Sequence, residues 1–175
     1  MEKNQILKIY GTDYKEMTKE LLKEAGLAAL VPDKNTRIGI KPNLVSGSTA
    51  DYGATTHPEL ADGLITYLKE NGFGDITVME SAWVGASTME AAQKNGILEV
   101  CRRHGVPFAD MKKEPGVTCR AEGLELHVCR KALEMDYLIN LPVVKGHGQT
   151  KVTCALKNYK GLIPDAEKRR FHALG

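Results

Sequence analysis

The chain offers no cysteine pairs that read as metal ligands. Its four cysteines, Cys101, Cys119, Cys129 and Cys154, are scattered, and none forms a C-x-x-C pair. A zinc ribbon or a ferredoxin-type cluster needs closely spaced thiolates, so neither motif is present. What remains is a set of buried or half-buried thiols in a reducing compartment. Aromatics are scarce, at 6%, and no strand carries the aromatic pairs of a stacking platform for RNA or single-stranded DNA. Net charge is +2, too little for the global basic field that drives nonspecific nucleic-acid binding. No apolar run approaches the roughly 20 residues of a membrane helix. The start, MEKNQILKIY, lacks the charged-then-apolar order of a secretory signal. These absences point to a cytoplasmic protein with neither nucleic acid nor membrane as partner. P-loop, H-E-x-x-H and nucleophile-elbow motifs are missing too.

What is there is ordinary globular material. The 175 residues are 42% hydrophobic and 26% charged, enough for one domain with a real core. Gln5 to Tyr10 alternates like a short first strand. Asp13 or Thr12 can cap a helix whose stripe is Met17, Leu21, Leu22 and Ala25, with Gly26 as its stop. Arg37 to Ile40 is the next strand, ending in Lys41-Pro42-Asn43. A long polar loop leads to Thr56-His57-Pro58-Glu59, where Thr56 and Glu59 have capping-box spacing. Leu60, Leu64, Ile65 and Leu68 form the stripe of that helix. Strand Ile76 to Met79 follows, with Glu80-Ser81 at its carboxyl end. A helix capped by Ser87 and a second from Ile97 to His104 precede strand Val106 to Ala109. Val117 to Arg120 and Leu124 to Cys129 pair as a hairpin about Glu122-Gly123. Tyr137 to Leu141 is the next strand. Alternating strands and helices predict an α/β fold, a mainly parallel open sheet with helices on both faces, plus the hairpin.

The stretch LINLPVVKGHGQTKVTCALKNYKG, Leu138 to Gly161, organises the rest. Its strand stops at Pro142. A loop then presents Lys145 and His147, and flanking Gly146 and Gly148 permit positive φ and close approach. A helical pattern follows and adds Lys151, Lys157 and Asn158. In a parallel sheet the loops after the strands share one edge. That edge gathers Lys41, Asn43, Thr55, Thr56, His57, Glu80, Ser81, Lys145 and His147. Lysine plus histidine suits a phosphate, a carboxylate or proton transfer, and the plainer reading is an exposed loop. Lys41 either holds an anion or reaches solvent. Glu80 is a general base, a metal ligand with His57 and His147, or the counter-ion of Lys41 or Lys145. His57 otherwise is a turn residue beside a cap. Lys151, Lys157 and Lys160 extend the positive patch or form a solvated face, and Asn158 joins the site or caps its helix.

IKPNL (Ile40 to Leu44), the TTHPE helix entry, DYLINLPVVKGHG (Asp136 to Gly148) and ALKNYKGLIP (Ala155 to Pro164) together resemble a family catalogued as domain of unknown function 362. The resemblance implies a cytoplasmic α/β protein of bacteria or archaea. Many members carry a ferredoxin-like segment with two four-iron clusters, and this chain has no such motif. Members usually continue well past the position of Gly175, which makes the chain resemble the front portion of a longer protein. The resemblance carries over no shared reaction and no cofactor.

Two functions fit these readings. One is an enzyme, or part of one, in redox or anaerobic metabolism. There Lys41, Lys145 and His147 hold an anion, with Asn43, Thr55, Thr56, Ser81, Lys157 and Asn158 around it. His57 and Glu80 handle protons or a metal. The other is a non-catalytic module that binds a ligand or docks a ferredoxin-like partner. An open sheet edge also invites pairing into an oligomer.

Overall fold

A computed structural model describes residues 5–173. The Asp13 carboxylate accepts from the Glu16 N–H at 3.0 Å and opens α1 (Tyr14–Glu24). Gly26, at φ +66, ends that helix and leads into the short α2 (Leu27–Leu30). The α/β alternation then runs β1 (Ile38–Pro42), α3 (Pro58–Glu70), β2 (Ile76–Glu80), α4 (Thr88–Asn95), α5 (Ile97–His104) and β3 (Phe108–Asp110). A hairpin of β4 (Gly116–Ala121) and β5 (Leu124–Cys129) follows, turning through Glu122 and Gly123, both at positive φ. After α6 (Arg130–Leu133) the chain returns as β6 (Tyr137–Leu141). It closes with a small antiparallel ribbon, β7 (Lys145–His147) and β8 (Lys151–Thr153), then α7 (Ala155–Asn158) and α8 (Asp165–Ala173).

The main sheet has order β3-β2-β1-β6, and every pairing in it is parallel. Ile38 lies beside Ile76 on one side and Tyr137 on the other. Strand alternation sends side chains to two separate cores. Ile38, Ile40, Ile76, Val78 and Ile139 pack with Leu64, Leu68, Ala92, Ile97 and Val100 of the helices. Met79 and Leu138 point the other way, into a smaller cluster with Met111, Cys129, Met135 and Leu162. Gly39 faces that second cluster, where an added Cβ would stand 2.9 Å from Met135 Cγ and 3.0 Å from Met79 Cε. Both layers bury strands on two faces, as a parallel sheet requires.

Three expectations change. Gln5 to Tyr10 forms no strand. Ile6 is 81% exposed and Tyr10 87%, and alternation without a neighbouring strand has nothing to pack against. The helix expected straight after Gly148 is a β ribbon instead. Thr150, Val152 and Thr153 favour extended backbone, and Lys151 takes φ +61 at the turn, so helix begins only at Ala155. Thr56 does not cap α3. His57 is the N-cap residue and makes no side-chain cap bond, because the Thr56 hydroxyl is used elsewhere, as described below.

The helices are tied by Asp62 on α3, which is 6% exposed. It takes Lys15 of α1 at 3.0 Å, and Arg103 and His104 of α5 at 2.9 and 2.7 Å. Burial alone would raise its pKa, but these donors outweigh it and hold the carboxyl well below the usual range. The next residue, Gly63, lets α1 and α3 touch. A Cβ there would meet the Lys15 carbonyl oxygen at 2.5 Å and Thr18 Cβ at 2.9 Å. Alanine is the better helix former by about 1 kcal/mol, so backbone collision decides the sign. Gly63→Ala is expected to lower stability by about 1–3 kcal/mol. Urea unfolding measures it, and an equal or higher midpoint would show that the helices can part freely.

Candidate functional site

The site follows from strand order. From β1 the chain winds out through β2 and β3, then returns to pair β6 on the opposite flank of β1. The connections beyond the carboxyl ends of β1 and β6 therefore diverge, and such a switch point leaves a crevice. Lys41 and Pro42 end β1, Glu80 ends β2 and Leu141 ends β6.

Lys41 and Glu80 form a buried ion pair, Nζ to Oε2 at 2.6 Å, with 0% and 2% of their side chains exposed. Every remaining polar atom has a partner. Lys41 Nζ also donates to the Pro42 carbonyl at 2.7 Å and to Asn158 Oδ1 at 3.2 Å. Glu80 Oε2 accepts from Leu44 N–H at 3.0 Å, and Oε1 from Ser81 N–H at 2.7 Å. Burial pushes Lys41 down and Glu80 up, while each partner's charge opposes the shift. Wherever the proton sits, the pair is net neutral. Lys41 is thus not an open anion ligand, and Glu80 is its counter-ion.

Asn158 closes this centre. Its Nδ2 donates to Asn140 Oδ1 at 2.7 Å and, more weakly, to the Lys41 and Pro42 carbonyls at 3.3 and 3.4 Å. Gly161 lies directly over the pair. A Cβ there would fall 2.1 Å from Glu80 Oε1 and 2.5 Å from Lys41 Cε.

The crevice above is a cavity of about 500 Å³. Asn43, Glu80, Ser81, Lys145, His147, Lys157 and Asn158 all line it. Lys160, Lys168 and His172 add further cationic or titratable groups, and among the described residues Glu80 is the lone acid in the wall. Lys145 Nζ donates to Asn43 Oδ1 at 2.6 Å and to the Ala54 carbonyl. Burial, then the charge of Lys157, lower its pKa to about 8. Burial and the nearby lysines also keep His147 below its usual value. Its Nδ1 accepts from the Gln149 and Thr150 N–H groups at 3.1 and 3.3 Å, which places the proton of the neutral ring on Nε2. Gly146 and Gly148 contribute openness rather than positive φ, since an added Cβ at either meets nothing within 4 Å.

Other expected site residues are structural. The Thr56 hydroxyl accepts from Asn43 N–H at 2.8 Å and donates to the Leu141 carbonyl at 2.6 Å, stitching the end of β1 to the end of β6. Thr55 Oγ1 accepts from Asn95 Nδ2 at 3.1 Å. His57 does not reach the cavity. It stacks near Tyr14 at 4.4 Å and stands 3.9 Å from Glu59. The trio of His57, His147 and Glu80 is therefore not assembled, and the described residues contain no group of three or more His, Cys, Asp or Glu able to hold a metal. Lys151 is exposed at the ribbon turn. Cys101 and Cys129 are buried thiols pushed up to about 11 by burial, and all four cysteines are free.

Sequence reasoning missed Gly161, Trp83 and Lys168. Gly161 carried one signal, its place inside a recurrent motif, but nothing marked its contact with Glu80. Lys168 sits in α8 and is 5% exposed. Its Nζ caps the Ser81 and Ala82 carbonyls at 3.0 and 2.9 Å, bonds to the Ser81 hydroxyl and meets Asp165 at 3.3 Å.

Removing one member of the ion pair leaves the other charge buried alone. Glu80→Gln is expected to cost about 3–5 kcal/mol, while Lys41→Met with Glu80→Leu recovers much of that loss. Chemical denaturation of Lys41→Met, Glu80→Leu and the double variant measures the coupling. Additive losses would show that the pair is not a unit.

The chain also resembles known proteins. The family described as "Domain of unknown function (DUF362)" matches residues 38–175. The thylakoid-associated protein sll1697 of Synechocystis sp. is 28% identical over 136 residues, which cover 78% of this chain and 42% of that protein. The chain thus spans less than half the length of that relative. No described helix is long and apolar enough to cross a membrane. The family match begins at Ile38, the first residue of β1, and takes in the ion pair, the cavity lysines and α8, so this chain belongs to the DUF362 family.

Proposed function

We propose that the switch-point cavity binds a small anionic molecule, as an enzyme or as part of one. The observation that carries this reading is an excess of cations with no acid to match. Lys157 lines the cavity, and among the described residues its ammonium has no hydrogen-bond or ion-pair partner, while the Lys160 ammonium meets only His172 Nε2 at 3.4 Å. Burial lowers the pKa of both. The acid in the wall, Glu80, is already neutralised by Lys41. A half-buried cluster of like charges is stabilised by an anion. Lys145, lowered to about 8 by burial, supplies a group able to exchange a proton with such a ligand near neutral pH, and the His147 ring offers its Nε2–H as a donor. A redox or anaerobic setting and a cytoplasmic location belong to this proposal through the family resemblance. The thylakoid-associated relative makes association with a thylakoid the alternative location.

The second reading, a docking module, is favoured by one feature. Val144, Val152 and Leu156, in and beside the β7–β8 ribbon, are 75, 61 and 87% exposed. A ferredoxin-like partner would seat there.

Sulfate is a suitable probe, because its charge is constant over the relevant pH range. Calorimetric titration at low salt is expected to show binding that Lys157→Ala with Lys160→Ala weakens at least about tenfold, in line with two charge-assisted contacts. The ammonium form of Lys145 is the binding form. Affinity is therefore full below about pH 8, falls as pH rises through it, and loses that dependence in Lys145→Met. Absence of sulfate binding at low salt, or binding indifferent to all three lysines, would sink the proposal.

A further inference from the structure

One wall of the cavity carries a feature the anion reading does not use. Trp83 lines the cavity and is 60% exposed. A large exposed aromatic is usually mobile, but this one is held. The six-membered ring of its indole rests against the Gly85 α-carbon, where an added Cβ would lie 2.1 Å from Cζ3 and 2.3 Å from Cη2. Its backbone is fixed as well. Trp83 N–H donates to the Val45 carbonyl at 2.9 Å. Lys112 Nζ donates to the Trp83, Val84 and Ala86 carbonyls, and Lys168 clamps Ser81 and Ala82 just before it. Two lysines thus brace the backbone of the 81–86 loop that carries the exposed ring. An aromatic surface held in place binds planar rings with little ordering cost. The same cavity holds the unpaired Lys157 and the loosely held Lys160, and its volume of about 500 Å³ falls within the range of cofactor pockets.

We infer that the anion taken by this site is a nucleotide, its base stacked on Trp83 and its phosphate held by the Lys157 and Lys160 side of the cavity. The inference rests on the anion-binding reading and adds the ring. Thr153 also lines the cavity, and its buried hydroxyl has no hydrogen-bond partner among the described residues.

The chain has one tryptophan, so its fluorescence reports on Trp83 alone. Titration with AMP, ribose 5-phosphate and inorganic phosphate separates the parts of the ligand. AMP is expected to quench the emission and to bind about tenfold or more tighter than ribose 5-phosphate, the usual return for a base stacked on an aromatic ring. By calorimetry, Trp83→Ala should bring AMP down to the affinity of ribose 5-phosphate. Trp83→Phe should keep most of the gain, and Gly85→Ala, which drives the indole off its seat, should lose it. Equal affinity for AMP and ribose 5-phosphate in the native chain would overturn the nucleotide inference while leaving the anion site standing. If none of the three compounds binds and sulfate does not bind either, both readings fall together.

Discussion

The buried Lys41–Glu80 pair is the constraint on which the rest of the structure depends. Each residue ends a strand of the parallel sheet, so pairing them fixes the relative positions of two carboxyl ends to within a hydrogen bond. A bare charge at this depth would be very costly. The chain meets that cost by surrounding the pair with the Pro42 carbonyl, the Leu44 and Ser81 N–H groups and the Asn158 amide. Each of those partners belongs to a different local element. Loop 43–45, the start of loop 81–86, α7 and the turn at Gly161 are all held in place because one neutral pair must be satisfied. Those same elements form part of the cavity wall, which β7 and α8 complete.

The consequence is a site whose floor is neutral and whose walls are cationic. The floor defines position, and Lys145, Lys157 and Lys160 define charge. Lys145 is a junction between the two. Its amine is held by the Asn43 side chain and the Ala54 carbonyl, which carry no full charge. Burial and Lys157 therefore outweigh the opposing charge of Glu80, which is not bonded to it, and its pKa drops, while a surface lysine bonded to an acid, such as Lys19 next to Glu70, shifts upward. Placement beside an amide and a carbonyl rather than an acid is what leaves the Lys145 charge without a counter-ion in contact.

Much of the frame was readable in the residues. Asp13, Ser87, Gly26, Gly96 and Gly105 mark helix ends by local rules, and each does that work in the structure. β1, β2 and β6 were legible as apolar runs, and their common direction brings Lys41, Glu80 and Lys145 to one edge. What local rules could not supply was the assignment of roles. Thr56 has capping-box spacing with Glu59, yet its hydroxyl bonds Asn43 and Leu141, one of them far away in sequence. His57 sits between residues that belong to the site edge but turns toward Tyr14. Gly161 and Lys168 act only through tertiary approach, and no spacing in the sequence encodes it. In the 149–153 stretch, β-branched residues outweigh the helical pattern, and helix begins only at Ala155.

The Thr56 bridge has a kinetic meaning. β1 and β2 are joined by a single helix, whereas Arg37 and Asp136, the hinge of the β1–β6 pairing, are 99 residues apart. Closing the larger loop costs more entropy and comes with slower, non-local contact formation. The β1–β2–β3 sheet and its helices are therefore positioned to assemble first, with β6 docking onto a finished edge. Thr56 and Asn43 already stand on the early half and receive the Leu141 carbonyl and the Lys145 amine of the late half. The crevice is complete only with β6 in place, because its two sides belong to segments brought together by the β1–β6 pairing.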